Sequence, residues 1–578
     1  MRERTRTGLE ILGAAAILGA LGNLLLRQTP WGLNAFLFVA VFTGTMVTLT
    51  LRHRRELMTT RSLALQAAMV FFGAMFLIRD SIELRVFDTI ATVIIMGVLV
   101  LSNFGINQRI AGVFHYAAGT IYAGLASLLG PFLLLGADID WKSMPGNRLS
   151  QSIFAVMRGL AIALPLVLIF GALFMAADAA FENLANRAIN FEIDTVISHV
   201  VLTSLFAWLT AGYFRGSLVE LSLRKAAPVV SPIPKDHEAK SSDASFVEKF
   251  AAEPVEASNA LPDHATVLEH INRSDPPDAA ETEKPAEETP KKRNWQNWDN
   301  TRLPHVFTLG TVETIIILGL VDLLFLAFVI VQVPYLFGGM ELVQNTPELG
   351  LAEYARRGFG ELVAVAALVL PILLVSHWLL RRDNHKNERI YRILAGVQIA
   401  LLFVIMASAV QRLLLLTGEF GYGLTTVRFY PMVLMIWLAT VFVWFGMTVL
   451  GGRRQYFAWG ALWAAIFILG ATNMINPDDF IARTNIGLMQ QGRDFDSHYN
   501  VGELSADAVP SLVSAIPSME LEDRCVVSRR LYVKFADLGD WSGEVRSFNL
   551  SRRNARSIIR ENDAVIQSSA GCPEDMKY

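Results

Sequence analysis

Twelve apolar runs of roughly membrane-spanning length, on the order of 20 residues each, dominate this sequence. They lie at 8–26, 31–51, 62–78, 87–102, 112–136, 154–177, 196–217, 311–333, 361–380, 391–414, 429–450 and 456–474. In a bilayer core no water is available to backbone amides, so such a run must satisfy its own hydrogen bonds, which an α-helix does. Outer-membrane barrels show short alternating segments instead, and none are seen. The expected fold is an all-α polytopic membrane protein of about 12–13 transmembrane helices with a small C-terminal α-rich soluble region. Composition agrees: 53% of the 578 residues are hydrophobic, 18% are charged, and mean hydropathy is +0.40. A soluble chain carries about a quarter charged residues.

The runs fall into two groups. Residues 1–225 form an N-terminal transmembrane half and 306–474 a C-terminal one. Between them, 226–305 is rich in Pro, Ala, Glu, Asp and Ser and nearly free of aromatics until its end. Such a segment buries too little apolar surface to offset its ordering entropy, so it reads as a disordered acidic linker. Its weakly amphipathic pieces "SFVEKFAAEPVEA" and "ATVLEHI" are transient helices or docking motifs at most; a spacer is the plainer reading. Residues 475–578 have ordinary soluble composition. The basic start "MRERTRTGLEILGAAAILG" lacks a small-residue cleavage site, which favours an uncleaved first helix over a signal peptide.

Basic residues orient the runs. The linker ends in "KKRNWQNWDN", where Lys291, Lys292 and Arg293 adjoin Trp295 and Trp298. Tryptophan prefers the headgroup layer, and lysine and arginine the cytoplasmic side, so the linker is expected in the cytoplasm. Arg224 and Lys225 agree. Running outward from there, "RRDNHKNERIYR" (381–392) and "GGRRQ" (451–455) both fall inside, and the C-terminal region falls outside, in the periplasm. The N-terminus and "LRHRREL" (51–57) also belong inside. Seven spans between an inside N-terminus and an inside linker give the wrong parity. One run is therefore miscounted, and 103–177 is the place to look. The run at 112–136, with Gly130-Pro131 near its end, is either two short segments or a re-entrant loop, unless a neighbouring run fails to cross.

Only two cysteines occur, Cys525 and Cys572, both in the C-terminal region. In an oxidising periplasm they can pair; in a reducing cytosol they would stay apart as thiols. Pairing is the expectation on this topology, and two unrelated thiols the alternative.

No Walker motif, His-Glu-x-x-His, Cys-x-x-Cys or Gly-x-Ser-x-Gly elbow is present. His115, His199 and His377 sit in or beside apolar runs without ligand spacing, so they read as interhelical hydrogen-bonding groups rather than metal ligands. No metal, haem, iron–sulfur centre or other cofactor is expected, and the net charge of −3 gives no support for nucleic-acid binding. The lipid bilayer is the expected partner, with a protein partner engaged through the cytoplasmic linker or the periplasmic region.

Charge inside the membrane is the remaining signal. Asp322 lies mid-run in "TVETIIILGLVDLLFLAFVIVQV", where an ionised group costs about 2.5–3.5 kcal/mol on insertion scales. It must face the bundle interior and pair with another helix, for which an arginine is the first candidate, or be protonated. A structural pair is the plainer reading and an ion pathway the sharper one. In "GLAEYARRGFGELVAVAALVLPILLVSHWLLRR" (350–382), Arg381 and Arg382 mark the cytoplasmic end. Arg356 and Arg357 open the run from the other side, against the inside bias. Arg412 and Arg428 fall at the same outer depth. With Glu353 these make a candidate cluster, for ion pairing between helices or for an anionic ligand such as a headgroup, phosphate or carboxylate. Glu353 and Arg357 have the favourable helical spacing for a pair. The final basic stretch, Arg546, Arg552, Arg553, Arg556 and Arg560, reads as a solvated or headgroup-facing helix behind caps at Asn549 and Ser551.

The ordered motifs "EYARRGFGEL", "YGLTTVRFY", "NPDDFIARTNI", "LSADAVPSL" and "WSGEVRSFNLSRRNAR" resemble a bacterial membrane family known as a domain of unknown function, number 4173, akin to number 4153. The resemblance covers roughly 305–560 and, more loosely, earlier runs including "ALFMAADAAF". It implies a multi-pass bacterial inner-membrane protein and transfers no activity. A membrane enzyme acting on a lipid or wall precursor at the outer interface needs a nucleophile or metal site that the sequence does not show, which leaves two function classes. One is a non-enzymatic sensing, scaffolding or accessory protein of the envelope. The other is a secondary transporter or lipid- or anion-handling protein using Asp322 and the arginine cluster. An inverted repeat, which would favour a transporter, is not seen.

Overall fold

The computed structural model describes residues 3–140, 193–219, 308–337, 359–381, 385–417, 423–536, 545–567 and Cys572. These belong to one compact unit, residues 1–220 with 295–578; residues 221–294 form a second unit, outside the described residues. Among the described residues eleven helices are long and apolar enough to cross a membrane. In chain order they are α1 (Glu3–Leu26), α2 (Leu33–His53), α3 (Thr60–Ile78), α4 (Ile82–Val100), α5 (Val113–Leu133), α6 (Ile193–Leu218), α7 (Thr311–Phe337), α8 (Phe359–Leu379), α9 (His385–Thr417), α10 (Thr426–Phe445) and α11 (Phe457–Ile475). The chain is an all-α, multi-pass membrane protein. The twelfth apolar run, 154–177, lies outside the described residues.

Charged first turns let helices α4 and α9 begin earlier than hydropathy suggests. α4 starts at Ile82 rather than 87 because Arg85 in its first turn is neutralised by an ion pair with Asp80. α9 starts at His385 rather than 391, and its polar first turns carry the Glu388–Arg392 pair at 2.7 Å. α3 opens on a reciprocal cap: Ser62 N donates to Thr59 Oγ1 at 3.2 Å and Thr59 N to Ser62 Oγ at 3.4 Å.

One core holds α1–α6 and part of α11, centred on Ile11, Phe72, Ile95 and Phe214; a second holds α7–α10 and the start of α11, centred on Leu318, Leu373, Leu402 and Phe442. Small residues set the closest approaches in the first. A Cβ on Gly19 would sit 2.6 Å from Thr203 O, one on Gly97 2.3 Å from Thr120 Oγ1, and one on Gly212 2.3 Å from Ala126 O. Van der Waals contact and backbone proximity hold apolar helices together where water supplies no driving force. Large side chains on the outward faces, such as Leu323, Leu324 and Ile330, stay exposed in the isolated chain, as a lipid-facing surface requires.

Both ends of the bundle are marked by named contacts. At the basic end Arg54 reaches Asn103 Oδ1 and Leu218 O, both at 3.3 Å, and His53 meets Glu10 at 2.7 Å. The 113–138 segment begins there: Arg61 donates to Asn107 Oδ1 at 2.7 Å, and Arg109 covers the Tyr456 ring at 4.9 Å. It also ends there. The π-turn Leu134–Asp138 that continues α5 brings Asp138 against Arg4 at 2.6 Å and Arg215 at 2.6 Å. Asp140 N donates to Thr5 Oγ1 at 3.2 Å. Both ends of this apolar segment therefore contact the basic end of the bundle, within the 103–177 region to which the parity argument points. The chain next re-enters the described part at the opposite end, where His199 of α6 shares a hydrogen bond with Asn23 of α1 at 2.8 Å.

Beyond α11 the chain folds into a small helical domain: α12 (Pro477–Gln490), α13 (Ser497–Gly502), α14 (Val509–Ala515), α15 (Leu521–Leu531), α16 (Leu550–Glu561) and α17 (Asp563–Gln567). Its core gathers Ile481, Leu512, Val527 and Ile559 with Leu424 and Phe429 from the approach to α10. Asn485 stitches that approach down: Leu424 N donates to Asn485 Oδ1 at 2.6 Å, and Asn485 Nδ2 donates to Leu424 O at 2.9 Å. Cys525 and Cys572 are joined as a disulfide, with Cα atoms 5.8 Å apart.

Candidate functional site

The densest polar arrangement lies where the C-terminal domain meets the bundle, at the end remote from the basic loops. Its centre is the three-residue link Arg79-Asp80-Ser81 between α3 and α4. Arg79 donates through Nε to Asn473 O at 2.8 Å and through Nη2 to Met474 O at 3.2 Å, closing the exposed C-terminal carbonyls of α11. Its Nη1 lies 3.6 Å from Asp507 Oδ1. Asp80 N donates to Asp507 Oδ2 at 2.7 Å, and the Asp80 carboxylate meets Arg85 and, at 3.1 Å, Arg552 Nε.

α16 is the other half of this junction. Asn549 caps it by accepting from Arg552 N at 3.0 Å. The same side chain donates to Phe76 O at 2.9 Å and Arg79 O at 2.8 Å, so the cap also holds the end of α3. Arg552 reaches Trp31 O at 2.8 Å, Arg546 reaches Leu24 O at 2.9 Å, and Leu33 N donates to Phe548 O at 2.7 Å. The chain before and within α16 thereby clamps the α1–α2 and α3–α4 links together. The basic stretch expected to face solvent or headgroups is turned inward at Arg552, which is buried because Asp80 is there to meet it.

Burial holds the Asp80 carboxyl above the usual range, against the pull of the Arg552 and Arg85 guanidiniums. Asp478, in the first turn of α12, is pushed up to about 6, mainly by burial, against hydrogen bonding from Ser505. Ser505 N donates to its Oδ2 at 3.0 Å. Just before Asp478, Asn476 takes a left-handed backbone, φ 61°, to turn the chain from α11 into α12. A cleft of about 630 Å³ opens beside the junction, lined by Arg79, Asn476, Asp479, Arg483 and Arg553 among others. Arg79 and Arg483 are already engaged with Asp507 and Asp479. Deeper in the bundle, Asn473 Nδ2 donates to Asp88 Oδ1 at 3.0 Å, tying α11 to α4. Among the described residues no group of three or more His, Cys, Asp or Glu side chains is placed to hold a metal ion.

The residues singled out from sequence fare unevenly. Glu353, Arg356 and Arg357 lie outside the described residues, as does the Arg412 side chain, although position 412 is near the end of α9 remote from its basic start. Arg428 is at the C-terminal-domain end, where its guanidinium donates to Gly423 O. The proposed convergence of these arginines is therefore outside what the structure describes. Asp322 is buried on α7 and has no hydrogen-bond or ion-pair partner among the described residues, arginine included. The junction residues Arg79, Asp80, Arg85 and Asp88 were not singled out. Their signal was present in "FLIRDSIELRVFDT": two arginines against the inside bias and three acids between apolar runs.

A family model described as "Domain of unknown function (DUF4153)" matches residues 66–238 and 276–515, most of the chain. The chain belongs to the DUF4153 family. This is the kin of the number that the motifs suggested, and the match spans both transmembrane halves and reaches into α14 of the C-terminal domain. No curated protein and no solved structure matches the chain. Family membership thus adds to the multi-pass membrane fold an absence of any assigned chemistry, and the site must be read from its geometry.

Proposed function

We propose that this DUF4153 protein is a non-enzymatic sensing or scaffolding protein of the bacterial inner membrane. Its basic end, with the N-terminus and the 226–305 linker, faces the cytoplasm, and its C-terminal domain faces the periplasm. Arginine and lysine placement supports this orientation. The observation that carries the role is the junction: a soluble helical domain is fastened to two interhelical links by one charge group, half-buried Asp80 and Arg85 with buried Arg552. Buried ion pairs add little net stability, but one partner without the other is strongly unfavourable, which suits a device that holds one arrangement of domain and bundle. A protein contacting the periplasmic domain can then bias helix positions in the membrane.

In-cell crosslinking of the full chain tests this reading. Envelope proteins captured by the native chain are expected to be lost with Arg552→Met, which undocks the domain. An identical set from native and variant, each shown to be folded by gel filtration, would sink it. The second reading, a cation-coupled transporter, is favoured by one observation, the unpartnered Asp322. Solute flux by the purified protein in liposomes, abolished by Asp322→Asn, would replace the first reading with the second.

A further inference from the structure

α7 and α9 run side by side in the same direction. Both start at the basic end: Arg381 N donates to Leu309 O at 2.9 Å, Asn387 Nδ2 to Arg381 O at 3.1 Å, and Thr311 Oγ1 to Asn387 Oδ1. α9 is the main packing partner of α7 among the described helices. The buried stripe of α7 is Thr314, Leu318, Asp322 and Val329, at the three- and four-residue steps of one helix face. Counted from the Thr311–Asn387 contact, these positions fall within one residue of the level of Tyr391, Ala395, Gln398 and Ile405, the buried stripe of α9. Asp322 and Gln398 are each eleven residues, three turns, beyond that contact and come level with no offset.

Both are buried, at 7% and 0% exposure, and neither Asp322 oxygen nor either polar atom of Gln398 has a hydrogen-bond partner among the described residues. A buried carboxylate without compensation is expensive, and so is an unsatisfied amide. Two such groups in one layer of one helix pair, whose apolar core includes Leu318, Ala395 and Leu402, are not explained as packing. They offer a negative carboxylate and a neutral amide oxygen, the donor set for a small hard cation.

We propose that Asp322 and Gln398 together form an intramembrane site for a small monovalent cation, a proton or sodium. The cation neutralises the carboxylate, and the amide oxygen of Gln398 is its second protein oxygen. A proton on Asp322 is donated to Gln398 Oε1, while Gln398 Nε2 donates to the other carboxylate oxygen. Sodium takes one oxygen from each residue. This supplies the ligand for the second functional reading, but occupancy is measured without any transport assay, so the two can fail separately.

The test is labelling of the full-length protein in lipid nanodiscs by dicyclohexylcarbodiimide, which modifies a carboxyl in its protonated form, followed by peptide mass spectrometry. In sodium-free choline chloride, Asp322 is expected to be labelled, and the adduct to vanish in Asp322→Asn. Sodium chloride at ten times its dissociation constant slows labelling about tenfold if sodium is the occupant. No slowing assigns the site to the proton. Gln398→Met, which keeps the packing volume, is expected to abolish sodium protection or, for the proton, to change the labelling rate several-fold. Absence of the adduct in sodium-free buffer overturns the proposal. So does an unchanged rate and unchanged sodium response in Gln398→Met, given a monodisperse variant with native melting temperature.

Discussion

At the junction beneath the C-terminal domain, Asp80 has Arg85 and Arg552 within ion-pair reach, and Asp507 and Ala506 close around it. Midway along the α7–α9 pair, Asp322 and Gln398 are more deeply buried and meet no polar partner among the described residues. The first region spends its polar groups on one another and holds elements in register. The second keeps them uncommitted, which stability alone does not favour. The difference separates fastening from exchange: a carboxylate paired with guanidiniums marks the place where the molecule is held, and a carboxylate with no countercharge among the described residues marks the place where something can come and go.

The largest effect expected on this contrast comes from removing a charge at the junction. Arg552→Ala leaves Asp80 short of one partner and Trp31 O without its donor, and should cost about 3 kcal/mol. The readout is the melting temperature of the detergent-solubilised protein together with the rate of proteolytic release of the C-terminal domain; a native profile would place the fastening elsewhere. Next is Gly32→Ala, whose Cβ would lie 2.3 Å from Phe548 O, a backbone atom that cannot rotate away. Crowding of this kind costs about 1–3 kcal/mol, so the domain should loosen without any loss of charge. Asn549→Ala removes a cap and two further hydrogen bonds and is expected to cost about 1–2 kcal/mol, read by hydrogen exchange at the start of α16.

A smaller effect follows from pH. Asp478 is pushed up to about 6 from the usual value of 3.8, so the folded form holds its proton more tightly than the unfolded chain does. Its contribution is present below the unfolded value and is lost as pH rises through the folded one. Melting temperature followed from pH 4 to 6 should therefore fall less steeply in Asp478→Asn than in the native protein; parallel curves would remove Asp478 from the account. The smallest effect is expected at Arg483→Ala. Arg483 pairs with Asp479 at 2.7 Å, but its side chain is 70% exposed, and such pairs are worth under about 1 kcal/mol. A large loss there would show that the cleft, rather than α16, holds the domain.

Membrane character and helix placement were legible because apolar runs of spanning length have so few alternatives. Eleven of the twelve runs correspond to helices among the described residues, and the parity argument pointed to the region containing α5. Helix starts at Ile82 and His385 were missed because hydropathy reads Arg85 and Glu388 as loop, whereas in place each sits in an ion pair, with Asp80 and Arg392. The junction was illegible for a different reason. Asp80 and Arg552 are hundreds of residues apart, and a basic helix looks the same in sequence whether its arginines meet water or a buried carboxylate. Asp322 stood out at once from its apolar setting, but Gln398, uncharged and surrounded by "LAGVQIALLF", gave no comparable signal. Only the parallel alignment of the two helices brings it level.

The α5 segment carries a mechanical consequence. Both of its ends contact the basic end of the bundle, and Ile121, Leu125, Leu128, Leu129 and Phe132 along it are 51–64% exposed in the isolated chain. Asp138 ties the far end of the segment to Arg4 near the start of α1 and to Arg215 near the end of α6. One carboxylate thus links three helices, so a displacement of α5 along its own axis pulls on α1 and α6 at once.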